Sequence, residues 1–231
     1  MHPSPDFLRQ ISLFRGLPPD ALQRLADMAH GESWPEDAFV YHQDDEITQL
    51  FVVAQGQVRL FQLTPDGQQV IMHIAGPGEA LGLLPALTHE RASVVTVQAI
   101  EPLKLWVWPA ADFRALMRDY PDLSLNALEI LGEHVRSYQN RIRELATERV
   151  ERRLARTLLR LVKQLGKRVP EGVLINLPLT RQDVAEMSGT TLYSASRILR
   201  AWDEAGIVSS GRERIVILAP HRLVAIAEDL Q

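Results

Sequence analysis

Apolar residues follow two different periods along this chain of 231 residues. Between residues 32 and 109 they form short alternating runs separated by turn residues, and Asp66-Gly67 is a strong hairpin signal. Residues 5–28 indicate short helices interrupted at residues 16–19, with Asp20 placed to cap the second helix. Several short strands at regular spacing favour a compact antiparallel barrel or sandwich.

A long helix is predicted from about Pro121 to Thr147. Its apolar positions alternate by three and four residues and form one narrow stripe: Leu128, Leu131, Val135, Tyr138, Ile142 and Leu145. Such a stripe is typical of a left-handed coiled coil, whereas a helix that faces a core usually carries a broader one. We therefore expect these six residues to form a homodimer seam, with an intrachain helix as the alternative.

The last third of the chain indicates a helix-turn-helix followed by a hairpin. Thr180 is a natural N-cap with Asp183 at the capping-box position, and Gly189 lies in the turn, where a positive backbone angle is easiest. The second helix, residues 192–205, has an apolar side and an opposite side that is polar and basic. A hairpin with a basic tip at Arg212 makes the motif winged. Helical hairpins are common, but cap, turn, basic face and wing together favour DNA binding.

The charge of the chain is segregated. Residues 148–231 carry 14 of the 25 Lys and Arg and 10 of the 29 Asp and Glu, a net charge of +4, and the rest of the chain has a net charge of −8. A basic end suits a polyanion partner, with chance segregation of surface charges as the alternative. The chain has no cysteine, which excludes disulfides, thiolate zinc sites and iron–sulfur clusters held by cysteine.

Five segments in this order carry a family resemblance: residues 50–58, 76–79, the helix from Pro121, 179–184 and 196–199. With them the chain resembles the CRP/FNR superfamily of bacterial transcription regulators over essentially its full length. The resemblance implies an α+β fold with an antiparallel, cyclic-nucleotide-binding-like β-roll (1–120), a dimerisation helix (121–147) and a winged helix-turn-helix (148–231). It also implies a homodimer that binds an inverted repeat in double-stranded DNA.

The resemblance assigns DNA contacts residue by residue. Arg197 matches an arginine that reads guanine through two donors, and Ser196 completes the Ser-Arg pair of the oxygen- and nitric-oxide-responsive branches. Tyr193 stands where many members have a base-reading glutamate, which leaves the half-site sequence open. Residues that match phosphate contacts, which fix register, are Arg181, Gln182, Thr190, Thr191 and Ser194. Charge alone adds Arg200 and Arg212.

A cyclic nucleotide is one effector that the resemblance suggests. The position of the ribose-binding glutamate is taken by Leu83, although Arg91 is similar to the phosphate-binding arginine. Tyr138 and Gln139 replace the small hydroxyl residues of the cAMP responders. These losses of polar contacts argue against cAMP.

Haem-linked nitric oxide sensing is the leading hypothesis for the effector. Residues 189–197 and Trp202 are similar to the nitrite- and nitric-oxide-responsive branch. Histidines that could bind haem iron are His30, His42, His73, His89 and His134, of which His73 and His134 join the expected effector pocket with Leu83, Arg91, Tyr138 and Gln139. A constitutive regulator, or one that binds another small ligand, is the alternative. We expect a hinge near residues 146–147 to pass the signal to recognition helices about 34 Å apart.

The remaining partners and the location follow from what the sequence lacks. No apolar run approaches the roughly 18 to 20 residues that span a bilayer, and the first residues lack the pattern of a secretory signal, so we expect a cytoplasmic protein. No phosphate-binding glycine motif is present, and the carboxylates of residues 44–46 fall in a predicted exposed turn, so no enzymatic activity is expected. RNA polymerase and a gas or small molecule are the further expected partners.

Overall fold

The computed structural model describes residues 2–88 and 91–229. The chain divides into two compact units, Met1–Tyr138 and Gln139–Gln231. Among the described residues, no helix has both the length and the apolar character that a membrane crossing needs.

The N-terminal unit combines short helices with two four-stranded sheets. Its helices are α1 (Pro5–Arg9), a 3-10 turn (Ser12–Phe14), α2 (Pro19–Met28), α3 (Leu83–Leu87), α4 (Ala110–Asp119) and the first part of α5 (Pro121–Thr147). Its strands are β1 (His30–Trp34), β2 (Phe39–Tyr41), β3 (Gln49–Gln55), β4 (Val58–Leu63), β5 (Gln69–Ala75), β6 (Ala80–Leu81), β7 (Thr96–Ala99) and β8 (Leu103–Pro109). The sheet orders are β1-β8-β3-β6 and β2-β7-β4-β5, with antiparallel pairing, which confirms the predicted β-roll.

Side chains of β3 alternate between two separate cores, because neighbouring residues of a strand point to opposite faces. Phe51 and Val53 belong to the core that both sheets share. Leu50 and Val52 belong to a second core, where the helices pack on the outside of the first sheet. Trp108 is fully buried in this second core and donates a hydrogen bond from its Nε1 to the carbonyl oxygen of Leu25 at 2.8 Å.

The sequence prediction is wrong about the N-cap of α2 and correct about the hairpin at Asp66-Gly67. Helix α2 has Pro18 at its N-cap position, and Asp20 lies in its first turn, where its carboxylate accepts a hydrogen bond from the Tyr120 hydroxyl at 2.9 Å. The prediction of Asp20 as the cap was therefore wrong. The Asp66-Gly67 hairpin is confirmed as the β4–β5 connection, with the Gly67 amide donating to the Thr64 carbonyl at 2.8 Å.

The C-terminal unit begins with the last turns of α5 and contains a winged helix-turn-helix. Its further elements are α6 (Val150–Leu165), β9 (Gly166–Val169), β10 (Gly172–Ile175), α7 (Arg181–Ser188), α8 (Leu192–Glu204), β11 (Val208–Gly211), β12 (Arg214–Ile217) and α9 (Pro220–Glu228). The sheet order is β11-β12-β10-β9. Helix α6 buries Leu154, Leu158 and Leu161, as its amphipathic pattern predicts.

Candidate nucleic-acid interface

The helix-turn-helix is fixed by two side-chain caps and a glycine. Thr180 and Asp183 form the predicted capping box at the start of α7. Gly189 ends α7 with a φ of 61°, the left-handed conformation that favours glycine. Thr191 caps α8 by accepting a hydrogen bond from the Ser194 amide at 3.2 Å. These caps set the angle at which α8 leaves the turn.

Helix α8 is anchored by its apolar side. Ala195, Ile198, Leu199 and Trp202 are buried, as predicted. The Trp202 Nε1 also donates a hydrogen bond to the Glu151 carboxylate on α6 at 3.1 Å. Because this side is held by packing and by a hydrogen bond, the opposite side of the helix has a fixed orientation toward solvent.

Three large side chains form what we call the reading face of α8: Tyr193, Arg197 and Arg200. All three are exposed, Tyr193 by 79%. Their spacing of four and three residues places them on one side of the helix. Within the described ranges, none of the three forms a hydrogen bond or an ion pair with another residue. Their donors and apolar surface are therefore available to a partner.

The wing lies beside α7, where Arg181 and Ser210 connect the two. Strands β11 and β12 form the predicted hairpin, with Arg212 at its tip. Arg181 donates to the Ser210 hydroxyl at 3.1 Å, and both the amide and the hydroxyl of Ser210 donate to the Asp203 carboxylate. An open cleft of about 420 Å³ is lined by Thr180, Arg181, Ser210, Gly211, Arg212 and Glu213. Two of the arginines that are predicted to contact DNA thus border one cleft.

The other residues that are predicted to contact DNA differ from one another in exposure and in hydrogen bonding. Gln182 is exposed and donates to the Glu186 carboxylate at 2.7 Å. The hydroxyl groups of Thr191 and Ser194 lie 3.2 Å apart within the helix cap. Thr190 and Ser196 are half-buried. Sequence reasoning treated Thr191 and Ser194 as phosphate contacts, and the structure adds a capping role.

Arg153 holds the turn between α7 and α8, a role that sequence reasoning missed. Its guanidinium donates to the carbonyl oxygens of Ser188 at 3.0 Å, Gly189 at 2.9 Å and Glu148 at 2.9 Å. Arg141 donates to the Glu186 carbonyl at 3.3 Å. Positive charge at the C-terminus of α7 stabilises the helix dipole. The sequence offers only the arginine content of α5 and α6 as a signal, since these carbonyl partners are distant along the chain.

The last turns of α5 belong to the C-terminal unit. Leu145 contacts Gly189, and the carboxylate of Glu144, buried in this unit, accepts hydrogen bonds from Arg160 at 2.8 and 3.0 Å. The division between the two units therefore falls inside α5, between Tyr138 and Gln139. Residues 146–147, where the sequence predicts a hinge, lie within the C-terminal unit.

The apolar stripe of α5 is largely exposed. Leu128, Val135, Tyr138, Ile142 and Leu145 are exposed large hydrophobic residues, and Leu125, which the prediction omitted, is 62% exposed. Leu131, the sixth residue of the predicted seam, is half-buried and also packs against the helical core of the N-terminal unit. The exposed apolar stripe thus also includes Leu125.

The structure brings together His73, His134 and Tyr138 of the expected effector pocket, together with Glu79. The His73 Nε2 lies 2.6 Å from the Glu79 carboxylate, and the His134 ring lies 6.0 Å from the His73 ring and 6.4 Å from the Tyr138 ring. Burial, followed by repulsion from His73, lowers the pKa of His134 below 6.5, which Glu79 and Glu133 partly oppose. His134 is thus favoured as a neutral imidazole.

Leu83 and Arg91, two further residues of the expected pocket, are placed elsewhere in the N-terminal unit. The prediction that Leu83 lines the effector pocket is not supported, because Leu83 lies in α3 and is buried in the helical core. Arg91 is exposed and forms an ion pair with Glu46 at 3.1 Å. Gln139 is exposed and belongs to the C-terminal unit.

His30 and His42, two further candidates for binding haem iron, contact other residues. The His30 Nε2 lies 2.8 Å from the Glu32 carboxylate. The ring of His42 is 4.6 Å from that of Phe39. His89 lies outside the described residues.

Comparison with known proteins matches both units separately. A sequence model of the cyclic nucleotide-binding domain matches residues 32–120, and one of the Crp-like helix-turn-helix domain matches residues 152–226. The cyclic AMP receptor protein of Thermus thermophilus is 29% identical over 199 residues, which are 86% of this chain and 88% of that protein. The global nitrogen regulator of a Synechocystis species is 24% identical over 198 residues, 85% of this chain and 87% of that protein.

Solved structures show the same fold. FixK2 from Bradyrhizobium japonicum has a TM-score of 0.75 at 23% identity and covers 86% of this chain and 96% of its own. The Thermus thermophilus catabolite activator protein is 28% identical with a TM-score of 0.54, covering 95% and 100%. The relatives are transcription regulators and not enzymes. Because the two domain matches together cover well over half of the sequence, the chain belongs to the CRP/FNR family of DNA-binding transcription regulators.

Proposed function

We propose that this protein is a homodimer that binds an inverted repeat in double-stranded DNA and regulates transcription in response to an effector. The observation that carries the proposal is the reading face of α8, whose three large side chains point to solvent without partners among the described residues. A recognition helix enters the major groove with such a face, and its N-terminal residues contact the base edges.

Arg197 is the residue that we assign to guanine. Its guanidinium is exposed in the middle of the reading face. The planar guanidinium offers two parallel donors, which match the O6 and N7 acceptors of guanine in the major groove. Arg181, Arg200 and Arg212 supply positive charge around it, which suits the phosphate backbone and fixes register without reading sequence.

Dimerisation through α5 is supported by its exposed apolar stripe. Leu128 is 64% exposed and Ile142 is 67% exposed. A second copy of the same helix would cover both residues, since they lie two heptads apart on one side of the helix. A symmetric dimer explains why the DNA site would be an inverted repeat with half-sites one helical turn apart.

For the effector, we keep nitric oxide acting through haem as the hypothesis, in which His134 would hold the haem iron. His134 fits because it is half-buried, and its lowered pKa favours the neutral imidazole that binds iron. His73 fits less well, because its Nε2 faces the Glu79 carboxylate. Haem would supply an iron that binds the gas, and the protein's own residues would position it. A cyclic nucleotide, suggested by the name of the Thermus relative, would have to bind without a carboxylate at Leu83.

Selection from a random DNA library tests the DNA-binding part of the proposal. The wild-type protein should enrich an inverted repeat with a guanine in each half-site. Arg197→Ala should lose the preference for this guanine, and Arg197→Lys should retain affinity while it discriminates less, because lysine offers no planar pair of donors. Arg168→Ala, which changes an exposed arginine of β9, is the control and should select the parent site. Enrichment of no sequence by the wild-type protein would overturn the proposal.

Spectroscopy and calorimetry test the effector. Haem-reconstituted protein should show a Soret band that shifts with nitric oxide, and His134→Ala should abolish the shift. Titration with cAMP should release no heat. Heat release with cAMP and no haem uptake would replace haem by a cyclic nucleotide in the proposal.

A further inference from the structure

We propose that Tyr193 selects a thymine in each half-site by covering the C5 methyl group of that base with its ring. This inference rests on the proposed function, since it concerns the base that the same recognition helix reads. Tyr193 is the second residue of α8, close to the end of the helix that reaches base edges, and its side chain is 79% exposed. At this point of the helix, the exposed ring is free to lie against a base edge.

Local structure fixes where the ring can go. The Ser194 amide, next to Tyr193 in sequence, is bound to the Thr191 cap, so the first turn of α8 is held in place. On the opposite side of the helix, the buried side chains of Ala195, Ile198 and Leu199 anchor α8. Tyr193 therefore lies on an ordered helical turn. Ordering it on DNA costs little entropy, because a tyrosine has only two rotatable side-chain bonds.

The chemistry of the phenol excludes its hydroxyl group as the discriminating part. A phenol hydroxyl both donates and accepts a hydrogen bond. Each base pair presents at least one acceptor in the major groove, so a group of this kind finds a partner on every pair. The C5 methyl group, in contrast, belongs to thymine alone among the four bases. Apolar contact with the ring is thus the interaction by which Tyr193 distinguishes one base pair from the other three.

The position of the thymine follows from Arg197. Tyr193 lies four residues before Arg197, which corresponds to about 6 Å along a helix axis at a rise of about 1.5 Å per residue. Base pairs are stacked about 3.4 Å apart along one strand. The thymine that Tyr193 contacts is therefore one or two base pairs from the guanine that Arg197 contacts. A thymine next to, or one base pair removed from, the guanine should appear in the enriched half-site.

The test removes the methyl group without changing the hydrogen-bonding edge. Each thymine of the enriched site is replaced by deoxyuridine, and binding is measured by fluorescence anisotropy at fixed salt. At the thymine near the guanine, we expect a loss of about fourfold per half-site, which corresponds to the burial of one methyl group. Tyr193→Phe should keep this loss, because it retains the ring. Tyr193→Ala should bind both DNAs equally. Arg197→Ala should bind weakly but still prefer thymine over uridine.

A second measurement separates the methyl group from the base that carries it. Replacement of the T·A pair by C·G should weaken binding by the wild-type protein, and 5-methylcytosine at the same position should recover part of the loss. Tyr193→Ala should show no recovery. If the wild-type protein enriches an inverted repeat but no thymine responds to deoxyuridine, or if Tyr193→Ala keeps the full response, the inference about Tyr193 is wrong while the proposed function stands. If no inverted repeat is enriched, the proposed function itself fails.

Discussion

Leu145 occupies the space that a side chain at position 189 would need. A β-carbon placed on Gly189 would lie 2.5 Å from the Leu145 Cδ2. Leu145 is on the last turns of α5, and Gly189 is in the turn of the helix-turn-helix. The close approach means that the end of the long helix packs directly on the element that orients α8. Since both residues belong to the C-terminal unit, this unit includes its own piece of the long helix.

Gly189→Ala should destabilise the C-terminal unit through two separate effects. The φ of 61° is unfavourable for alanine by roughly 1–2 kcal/mol. The new β-carbon also displaces the end of the Leu145 side chain, and because Leu145 is 45% exposed and can change rotamer, this contact adds only about 1 kcal/mol. Gly206→Ala is a matched control, because Gly206 has a φ of 67° and open space around it. Urea unfolding should therefore show that Gly206→Ala lowers the free energy of unfolding by less than Gly189→Ala does. Equal losses for both variants would contradict the packing role of Leu145.

We expect the two partners of the ion pair between Glu144 and Arg160 to differ in how much stability is lost when each is substituted. The Glu144 side chain is 7% exposed, whereas that of Arg160 is 44% exposed. Arg160→Ala leaves a buried carboxylate without its strongest donor and should cost about 2–3 kcal/mol, because an unpaired buried charge is unfavourable. Glu144→Gln leaves an arginine that water can reach and should cost less. Hydrogen exchange of the α6 backbone amides would measure the loss of stability in both variants.

An exposed pair provides the control for this prediction. Arg214 and Glu171 lie 2.8 Å apart, and both side chains are nearly half exposed. Glu171→Gln should leave the free energy of unfolding nearly unchanged, as is usual for ion pairs on the surface. If Glu144→Gln proved as costly as Arg160→Ala, the burial of the carboxylate would not be the cause.

The reading face of α8 could be predicted from the sequence because its information is local. The positions of Ala195, Ile198 and Trp202 follow the helical period, and the Thr180 capping box is a short motif. The contacts of Arg153 could not be predicted, because its carbonyl partners at Ser188 and Gly189 are brought near only by the packing of α6 on α7. Local patterns place a side chain on a face, but they do not identify a distant backbone partner.

The stripe on α5 shows a different limit of sequence reasoning. Helix α5 has two adjacent lines of apolar residues, one that includes Leu131 and one that includes Leu125. Both match a 3.5-residue repeat, so spacing alone cannot tell which of them is exposed. Leu131 packs inward and Leu125 points to solvent because the helices of the N-terminal unit cover one flank of α5. Strands β1, β2 and β6 are difficult to predict from the sequence for a related reason. They are edge strands, two of them only two or three residues long, so they carry little alternation of their own.

Ser210→Ala should weaken DNA binding without changing its sequence preference. Ser210 connects Arg181 to Asp203 and so holds the wing against the helix-turn-helix. The substitution removes the hydroxyl from this chain of hydrogen bonds, and Arg181 becomes more mobile. Because phosphate contacts act alike on all sequences, affinity should fall by a similar factor for operator and for scrambled DNA. Ser209→Ala, at an exposed neighbour, should leave both affinities unchanged. A change in the enriched half-site would contradict a role limited to the backbone.

His134 should make the N-terminal unit less stable as the pH falls. Its pKa is lowered in the folded state, so the unfolded chain binds the proton more readily. Stability from this residue is present above pH 6.5 and decreases as the pH falls toward the lowered pKa. Between about pH 7.5 and about pH 5.5, the Tm of the wild-type protein should therefore drop more than that of His134→Asn. His221→Asn, on α9 and exposed, is the control. A larger drop in His134→Asn would show that protonated His134 is stabilised by Glu79 and Glu133.

Substitutions in the exposed stripe of α5 should produce a folded monomer. Leu128→Arg and Ile142→Arg place a charge where the partner helix would pack, and neither side chain belongs to the core of its unit. Sedimentation velocity should show half the mass of the wild-type particle, with an unchanged circular dichroism spectrum. Leu131→Arg should instead reduce stability, because Leu131 packs against the helical core. Leu63→Arg, an exposed apolar residue on β4 away from the stripe, should remain dimeric. A dimer that tolerated both stripe substitutions would have to use another surface, and α5 would then not set the spacing of the recognition helices.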